Sequence, residues 1–269
     1  MAKKINLMIA GCTGRMGRMI LELLPEYEGF TLVKLTEQQG HKDIGISYSM
    51  ANTRSDYDLV ITDGFSENIN EADVIIDFTT PESTMDLLEY SKEMNVSHII
   101  GTTCFTIDQE ARISSYAVNK VIVEAGNMSL GVNLITKLTE VIANTLDSEF
   151  DIEILEMHHK NKIDAPSGTA IMLGNAAARG RGVSLEEVKD FDRTKAREKR
   201  KLGNIGLSSL RGGDVVGDHS VIFAGNGERI VINHVATNRE IFARGALKAA
   251  TWTLQKKPSL YNMIDVLGL

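Results

Sequence analysis

The sequence predicts an α/β protein in two parts: a Rossmann-like doubly wound parallel sheet, then an α+β domain with an open mixed sheet. Three observations carry this. The apolar run Ile5 to Ala10 leads into the glycine turn Gly11 to Gly17 and then a helical pattern, the order of a dinucleotide-binding βαβ unit. Strand-like and helix-like segments then alternate at short spacing as far as Glu124, a pattern that implies right-handed crossovers and a parallel sheet. After Asn127 the style changes to one long helical segment followed by glycine-broken alternating segments.

In order, Ile5 to Ala10 reads as a short buried strand and Gly11-Cys12-Thr13-Gly14-Arg15-Met16-Gly17 as the turn after it. Arg15 to Leu24 continues as a helix with Met16, Met19, Ile20, Leu23 and Leu24 on one side, ending at Pro25. Thr31 to Thr36 is a second strand, and Glu37 follows it. That places an acid about 20 residues past the last glycine, where it can take ribose hydroxyls. The turn is spaced Gly-x-x-Gly-x-x-Gly rather than Gly-x-Gly-x-x-Gly, so its position carries the reading as much as its letters.

Gly40 to Asp58 has no period and reads as an excursion, and Leu59 to Thr62 as a short strand. Asp73 to Phe78 is a continuous apolar strand of the parallel-sheet kind. Thr79-Thr80-Pro81-Glu82 opens a helix carrying Met85, Leu87, Leu88 and Met94. Ser97 to Ile100 is a strand ending in Gly101-Thr102-Thr103, Asp108 to Asn119 a helix, and Val121 to Glu124 a strand ending in Ala125-Gly126-Asn127-Met128. In such sheets ligands collect at the carboxyl ends of strands, which here are small or polar four times in succession.

Leu130 to Leu146 is a long helix whose apolar set is Leu134, Leu138, Val141 and Ile142. Ser184-Leu-Glu-Glu187 has capping-box spacing. Arg193 to Lys201 holds six basic residues against Glu198 and reads as a solvated loop. Gly206 to Arg211, Val215 to Ala224 and Arg229 to Ala236 should join Asp151 to His158 in one mixed sheet, whose exposed face a homo-oligomer would cover. Arg239 to Gln255 is a helix, and the short tail after it should return to the first domain. The expected division is residues 1–127 with 240–269 for the dinucleotide and 128–239 for substrate and oligomerisation.

Composition sets limits. At 269 residues, with 43% hydrophobic and 24% charged residues, the chain suits a soluble globular protein of one large or two medium domains. A net charge of −7 argues against nucleic acid as a main partner. Cys12 and Cys104 give no disulfide framework, so the chain reads as cytoplasmic. Lys3 and Lys4 before Ile5 to Ala10 imitate a signal peptide, but the run is too short for the ~7–15-residue apolar region of one. No segment approaches the ~18 apolar residues of a membrane span.

The most informative stretch is Asp151 to Gly174. Its strand releases His158, His159, Lys160 and Lys162, turns at Asp164-Ala165-Pro166, and Ser167-Gly168-Thr169-Ala170 starts an apolar helix. A strand end rich in cationic side chains thus faces a helix N-terminus with free N–H groups, a corner for an anion such as a carboxylate or phosphate. A zinc site is disfavoured: adjacent strand residues point to opposite faces, and no cysteine or third histidine stands at ligand spacing.

With these residues in place, the chain resembles the 4-hydroxy-tetrahydrodipicolinate reductase (dihydrodipicolinate reductase) family, essentially end to end. The motifs are GCTGRMG (Gly11 to Gly17), DFTTPEST (Asp77 to Thr84), GTT (Gly101 to Thr103), AGNMSLG (Ala125 to Gly131) and EMHHKNKIDAPSGTA (Glu156 to Ala170), the last being highly specific. The resemblance implies that Gly11, Cys12, Thr13, Gly14, Arg15 and Met16 hold the pyrophosphate, Glu37 the adenosine ribose, and Phe78, Gly101, Thr102, Thr103, Ala125, Gly126, Asn127 and Met128 the rest of NADH or NADPH. It further implies His158 as proton donor, Lys162 as second catalytic group, and His159, Ser167, Gly168 and Thr169 on substrate carboxylates. It implies no metal, a homotetramer, and a step of diaminopimelate and lysine biosynthesis on a small cyclic dicarboxylate. A histidine suits protonation near neutrality, and a dianionic substrate should raise its pKa.

One position departs from the family. An arginine able to grip a 2′-phosphate often follows the ribose-binding acid, and here Gln38 stands there. NADH is therefore expected to serve at least as well as NADPH, with Arg15 or Lys42 as compensating cations. Two alternatives remain on the sequence: an aspartate- or homoserine-type dehydrogenase, which Ser-Gly-Thr beside His-His disfavours, and a dinucleotide-sensing regulator, which would have no use for the acid and anion corner.

Overall fold

The computed structural model describes residues 4–48, 59–64, 69–194 and 197–269. In chain order come β1 (Ile5–Ala10), α1 (Arg15–Leu23), β2 (Phe30–Glu37), β3 (Ser47–Tyr48), β4 (Leu59–Asp63), β5 (Val74–Asp77) and α2 (Pro81–Tyr90). Then follow β6 (Ser97–Ile100), α3 (Ile107–Tyr116), β7 (Val121–Glu124), α4 (Leu130–Thr145), β8 (Asp151–His158), α5 (Gly168–Gly180) and α6 (Leu185–Val188). The last elements are β9 (Lys189–Asp190), β10 (Ile205–Arg211), β11 (Gly217–Ala224), β12 (Arg229–Ala236), α7 (Glu240–Thr253), β13 (Ser259–Tyr261) and α8 (Met263–Leu267). They form two units: the chain through Ser129 with Glu240–Leu269, and Leu130–Arg239.

In the first unit the apolar runs become strands of a sheet ordered β13-β7-β6-β5-β1-β2-β4-β3. Every pairing is parallel except β3 with β4. Because both faces are covered, Leu7, Met8 and Ile9 of β1 and Val74, Ile75 and Ile76 of β5 are wholly buried, the composition that parallel strands require. Strand order reverses at β1, between β2 and β5, and ligands of doubly wound sheets bind outside the strand ends at that point. The Rossmann-like class predicted from the sequence is the one observed.

The second unit is a mixed sheet, β12-β11-β8-β10-β9, with β8 parallel to β10 and antiparallel to β11. One face buries Ile152, Ile154, Leu207, Val221 and Phe223 against Ala170, Leu173 and Ala177 of α5 and Ile135 of α4. The opposite face exposes Leu155, Leu210, Val231 and Val235.

Several expectations need correcting. The helix α4 buries Val132, Asn133, Ile135, Thr136, Thr139 and Ala143, while Leu134, Leu138 and Val141 are exposed. Thr136 and Thr139 tolerate burial because their hydroxyls donate back to the carbonyls of Val132 and Ile135. Ser184 precedes α6 but makes no side-chain cap bond. After α7, β13 adds to β7 and α8 closes with a full capping box at Asn262. Of the Gly40 to Asp58 excursion, residues 49–58 lie outside the described residues, as do 195–196 of the Arg193 to Lys201 run.

Candidate active site

The first unit offers a cleft of about 650 Å³ lined by Gly11, Thr13 and Gly14 of the turn, Glu37 at the end of β2 and His41 beyond it, and Phe78 and Thr79 beyond β5. Gly11 sits at φ +70°, and a Cβ there would lie 2.9 Å from Thr79 Cγ2, so glycine is required on both conformational and steric grounds. A Cβ at Gly17 would lie 2.3 Å from the carbonyl oxygen of Gly11, which fixes close packing of the turn on α1. Gly14 caps that helix with no side-chain bond, leaving its first amides for an anion.

Glu37 is already drawn into the turn. Its Oε1 accepts from the Thr13 amide and hydroxyl, both at 2.7 Å. Arg18 is turned elsewhere, donating from Nε to the Thr13 carbonyl. No lysine or arginine lines the cleft among the described residues, whereas Glu37, Glu82 and Asp86 do. Cys12 is buried and its thiol is pushed up to about 12 by burial and by Glu37, so it contributes backbone only. Arg15, at the start of α1, and Met16, one residue on, do not line the cleft.

Beneath the loops after β5 and β6 lies a buried polar cluster that the sequence reading missed. Asp77 is fully buried and receives the Thr79 amide and hydroxyl (3.0 and 2.6 Å), the Thr84 hydroxyl (2.8 Å) and the Thr102 hydroxyl (3.3 Å), with His98 Nε2 at 3.3 Å. Burial alone would raise its pKa, but these bonds, His98 first, bring it below the usual carboxylate value. Thr102 also accepts from the Thr79 amide, and a Cβ at Gly101 would lie 2.1 Å from the Phe78 ring. Phe78, Gly101 and Thr102 are thereby locked to one another. Thr103 approaches a Gly126 Cβ position at 3.9 Å, Asn127 accepts from the Ser129 amide, and Met128 packs against Gly245 of α7.

In the second unit the end of β8 carries the predicted acid. His158 is 8% exposed, and its Nδ1 stands 2.5 Å from Oε2 of Glu156, which is 1% exposed. The same oxygen accepts from Arg211 Nη1 at 2.9 Å, and Oε1 accepts from the Ser167 amide at 3.2 Å. Arg211 also reaches the Asp164 carbonyl. Burial alone would raise the Glu156 carboxyl, yet the bonds from Arg211, Ser209 and His158 hold it down at about 2. In the protein without substrate, burial pulls the His158 pKa below 6.5, Glu156 opposes this, and Lys162 and Arg211 add to the lowering.

The His219 ring packs edge-on against His158 at 5.1 Å and its Nε2 meets the Ser167 hydroxyl at 3.2 Å. Ser167 caps α5 by accepting from Ala170. Gly168 follows as the first residue of α5, exposed, with open space where a Cβ would be. Thr169 and His159 are partly exposed, and Lys162 pairs with Asp164 at 2.9 Å. The structure thus brings His158, Ser167 and Gly168 to one corner through Glu156. Glu156 itself was legible as the residue two before His158 on the same strand face; Arg211 and His219 carry no local signal. Among the described residues no group of three or more His, Cys, Asp or Glu is placed to hold a metal.

Comparison with known proteins gives consistent relatives for both units. The model described as dihydrodipicolinate reductase, N-terminus, matches residues 5–128, and that described as dihydrodipicolinate reductase, C-terminus, matches residues 131–267. The chain is 48% identical over 264 residues to a 4-hydroxy-tetrahydrodipicolinate reductase of Dinoroseobacter shibae, covering 98% of each. It is 45% identical over 269 residues to that of Roseobacter denitrificans, covering 100% of this chain and 99% of the relative. Among solved structures, a dipicolinate-bound dihydrodipicolinate reductase from Paenisporosarcina sp. TG-14 superposes with TM-score 0.74 at 27% identity, covering 97% of this chain and 98% of that one.

Proposed function

The chain belongs to the dihydrodipicolinate reductase family, and from that premise we propose that it reduces 4-hydroxy-tetrahydrodipicolinate to tetrahydrodipicolinate in diaminopimelate and lysine biosynthesis. The observation that carries the reading is the corner at the end of β8, where a buried carboxylate joins the His158 ring to the cap of α5. The first unit fits a nicotinamide nucleotide: a Cβ would fill the Gly11 cradle, and Glu37 closes the ribose end of the cleft. When bound, the nucleotide supplies the hydride.

The chain's own residues do the rest. Gly11 to Met16 and Glu37 would hold the pyrophosphate and adenosine ribose, and Phe78, Gly101 to Thr103 and Ala125 to Met128 the nicotinamide end. The amides of Gly168 and Thr169, with His159 and Lys162, orient the substrate carboxylates by positive potential. His158 gives the proton to the ring carbon beside the one that is reduced. A dianion beside it raises the pKa that burial has lowered, so the ring is charged when substrate is present. Ser167 contributes through the cap it forms on α5.

For the nucleotide we favour NADH at least equally. Gln38 follows Glu37, and the cleft carries carboxylates with no lysine or arginine among its lining residues, a field that repels a 2′-phosphate. The exposed apolar face of the second sheet supports a homotetramer, checked by light scattering as a mass four times 29.5 kDa. A biosynthetic reductase with two free cysteines fits a cytoplasmic setting.

The deciding experiment couples aspartate semialdehyde, pyruvate and the preceding synthase to this protein and follows loss of reduced-nicotinamide absorbance with each cofactor. Loss with at least one is the expected result, and none with either removes the proposal. A strong NADPH preference in kcat/KM would overturn the selectivity reading alone.

A further inference from the structure

The carboxylate of Glu156 is placed to do more than neutralise a neighbour. It joins three elements: His158 on its own strand, Arg211 on β10 and the Ser167 amide at the cap of α5. Of the two nitrogens on the His158 ring, Nδ1 is taken at 2.5 Å. The other, Nε2, faces the bare Cα of Gly217, where any Cβ would stand only 3.0 Å away. One edge of the ring is therefore anchored, and the other lies against a position where any side chain would crowd it.

We propose that Glu156 is the positioning residue of the proton donor: it takes the Nδ1 hydrogen of His158, leaves Nε2 as the donating nitrogen, and holds that nitrogen in register with the carboxylate-binding start of α5. This rests on the reduction proposed above. In the step itself the Nε2–H bond breaks and its proton forms the new C–H bond. The ring is left neutral with hydrogen on Nδ1, Glu156 stays a carboxylate, and solvent returns a proton to Nε2. The charged or titratable groups around His158 are Glu156 on β8, Arg211 on β10, His219 on β11 and Lys162 in the following loop. Of these four, Glu156 is the anion, and it favours the imidazolium.

The test has two arms. In wild-type protein labelled with 15N-histidine, neutral His158 should carry its hydrogen on Nδ1 with Nε2 bare; hydrogen on Nε2 would overturn the proposal. In Glu156→Gln the alkaline limb of the kcat profile should move to lower pH by about one unit or more, because an opposite charge at this range is removed. On the alkaline side that is about a tenfold or greater loss. Glu156→Asp, which keeps the charge, should hold the limb near its wild-type position even as the rate falls. A kcat lowered equally at every pH in Glu156→Gln would reduce Glu156 to a structural role and refute the assignment. If that variant does not fold, the wild-type tautomer decides alone. Absence of wild-type turnover would instead strike the reduction, leaving the tautomer measurement intact.

Discussion

Replacing His219 by glutamine should remove a stability loss that the wild-type protein suffers between neutral pH and about pH 4. His219 is 4% exposed, between the His158 ring and the Ser167 hydroxyl, and its Nδ1 has no partner among the described residues. Burial first, and the nearby His158 second, lower its pKa from 6.5 to about 4. The sign follows from linkage: the unfolded chain takes up a proton below pH 6.5 while the folded one does not, so stability falls through that window and the loss is complete near pH 4. At 1.36 kcal/mol per tenfold change in acidity, the loss amounts to about 3 kcal/mol. Glu156, held at about 2, contributes in the same direction but only below its ordinary 4.5, so the two windows separate. Glutamine keeps a polar atom near the Ser167 hydroxyl without titrating. Trp252, the single tryptophan, lies in the other unit, so the readout should be hydrogen exchange of β8 and β11 peptides across pH and urea. Equal losses in wild type and variant between pH 7 and pH 4 would refute the reasoning.

Three further outcomes follow from contacts already described. Gly17→Ala puts a Cβ 2.3 Å from the Gly11 carbonyl oxygen; it should cost about 1–3 kcal/mol and weaken nucleotide binding by calorimetry, and an unchanged Tm and Kd would show slack in the turn. His158→Gln should lower kcat by about 10²–10⁴ while NADH binding, followed by fluorescence, stays the same; an undiminished kcat would move the proton role elsewhere. Asp77→Asn removes the anion of a fully buried pair and should destabilise by about 3–5 kcal/mol while raising KM for the nucleotide, and a stability within error of wild type would mean that the cluster re-forms without its charge.

How much of this was legible depended on how local the cause was. The turn at Gly11 to Gly17, the strands β1, β5, β6 and β7, and the cap at Ser167 follow from contiguous letters, because burial on both faces and helix entry each need a short run of particular residues. The two-residue strands β3 and β9 exist only as pairings with β4 and β10, and no run that short announces itself. β13 likewise owes its form to β7, far back in the chain. In α4 two apolar stripes compete, and the buried one is the stripe whose threonines satisfy their own hydroxyls. At the site, His158 and the α5 corner were visible, whereas Arg211 and His219 arrive through sheet register, opposite His158 and Glu156 respectively.

The two units solve one problem in the same way, and the difference between them says which solution is chemical. Each buries a carboxylate at the carboxyl end of a strand, Asp77 on β5 and Glu156 on β8, beside a histidine and among donors from a following loop or cap. A buried charge is tolerable only when it is so surrounded, and the surrounding groups are in turn fixed by it. Around Asp77 the groups fixed are the amide and hydroxyl of Thr79 and the hydroxyls of Thr84 and Thr102, and His98 is itself fully buried. That histidine has nowhere to send a proton, so its cluster acts by rigidity on the Phe78 and Gly101 loops. Around Glu156 the histidine keeps one nitrogen on the glycine side of its ring, and Lys162 and the start of α5, the proposed carboxylate contacts, follow it in the chain, whereas the first cluster has no such proposed partner. A buried carboxylate–histidine pair is therefore not enough to mark a proton donor; what sets the proposed donor, His158, apart from His98 is that it is 8% exposed while His98 is wholly enclosed.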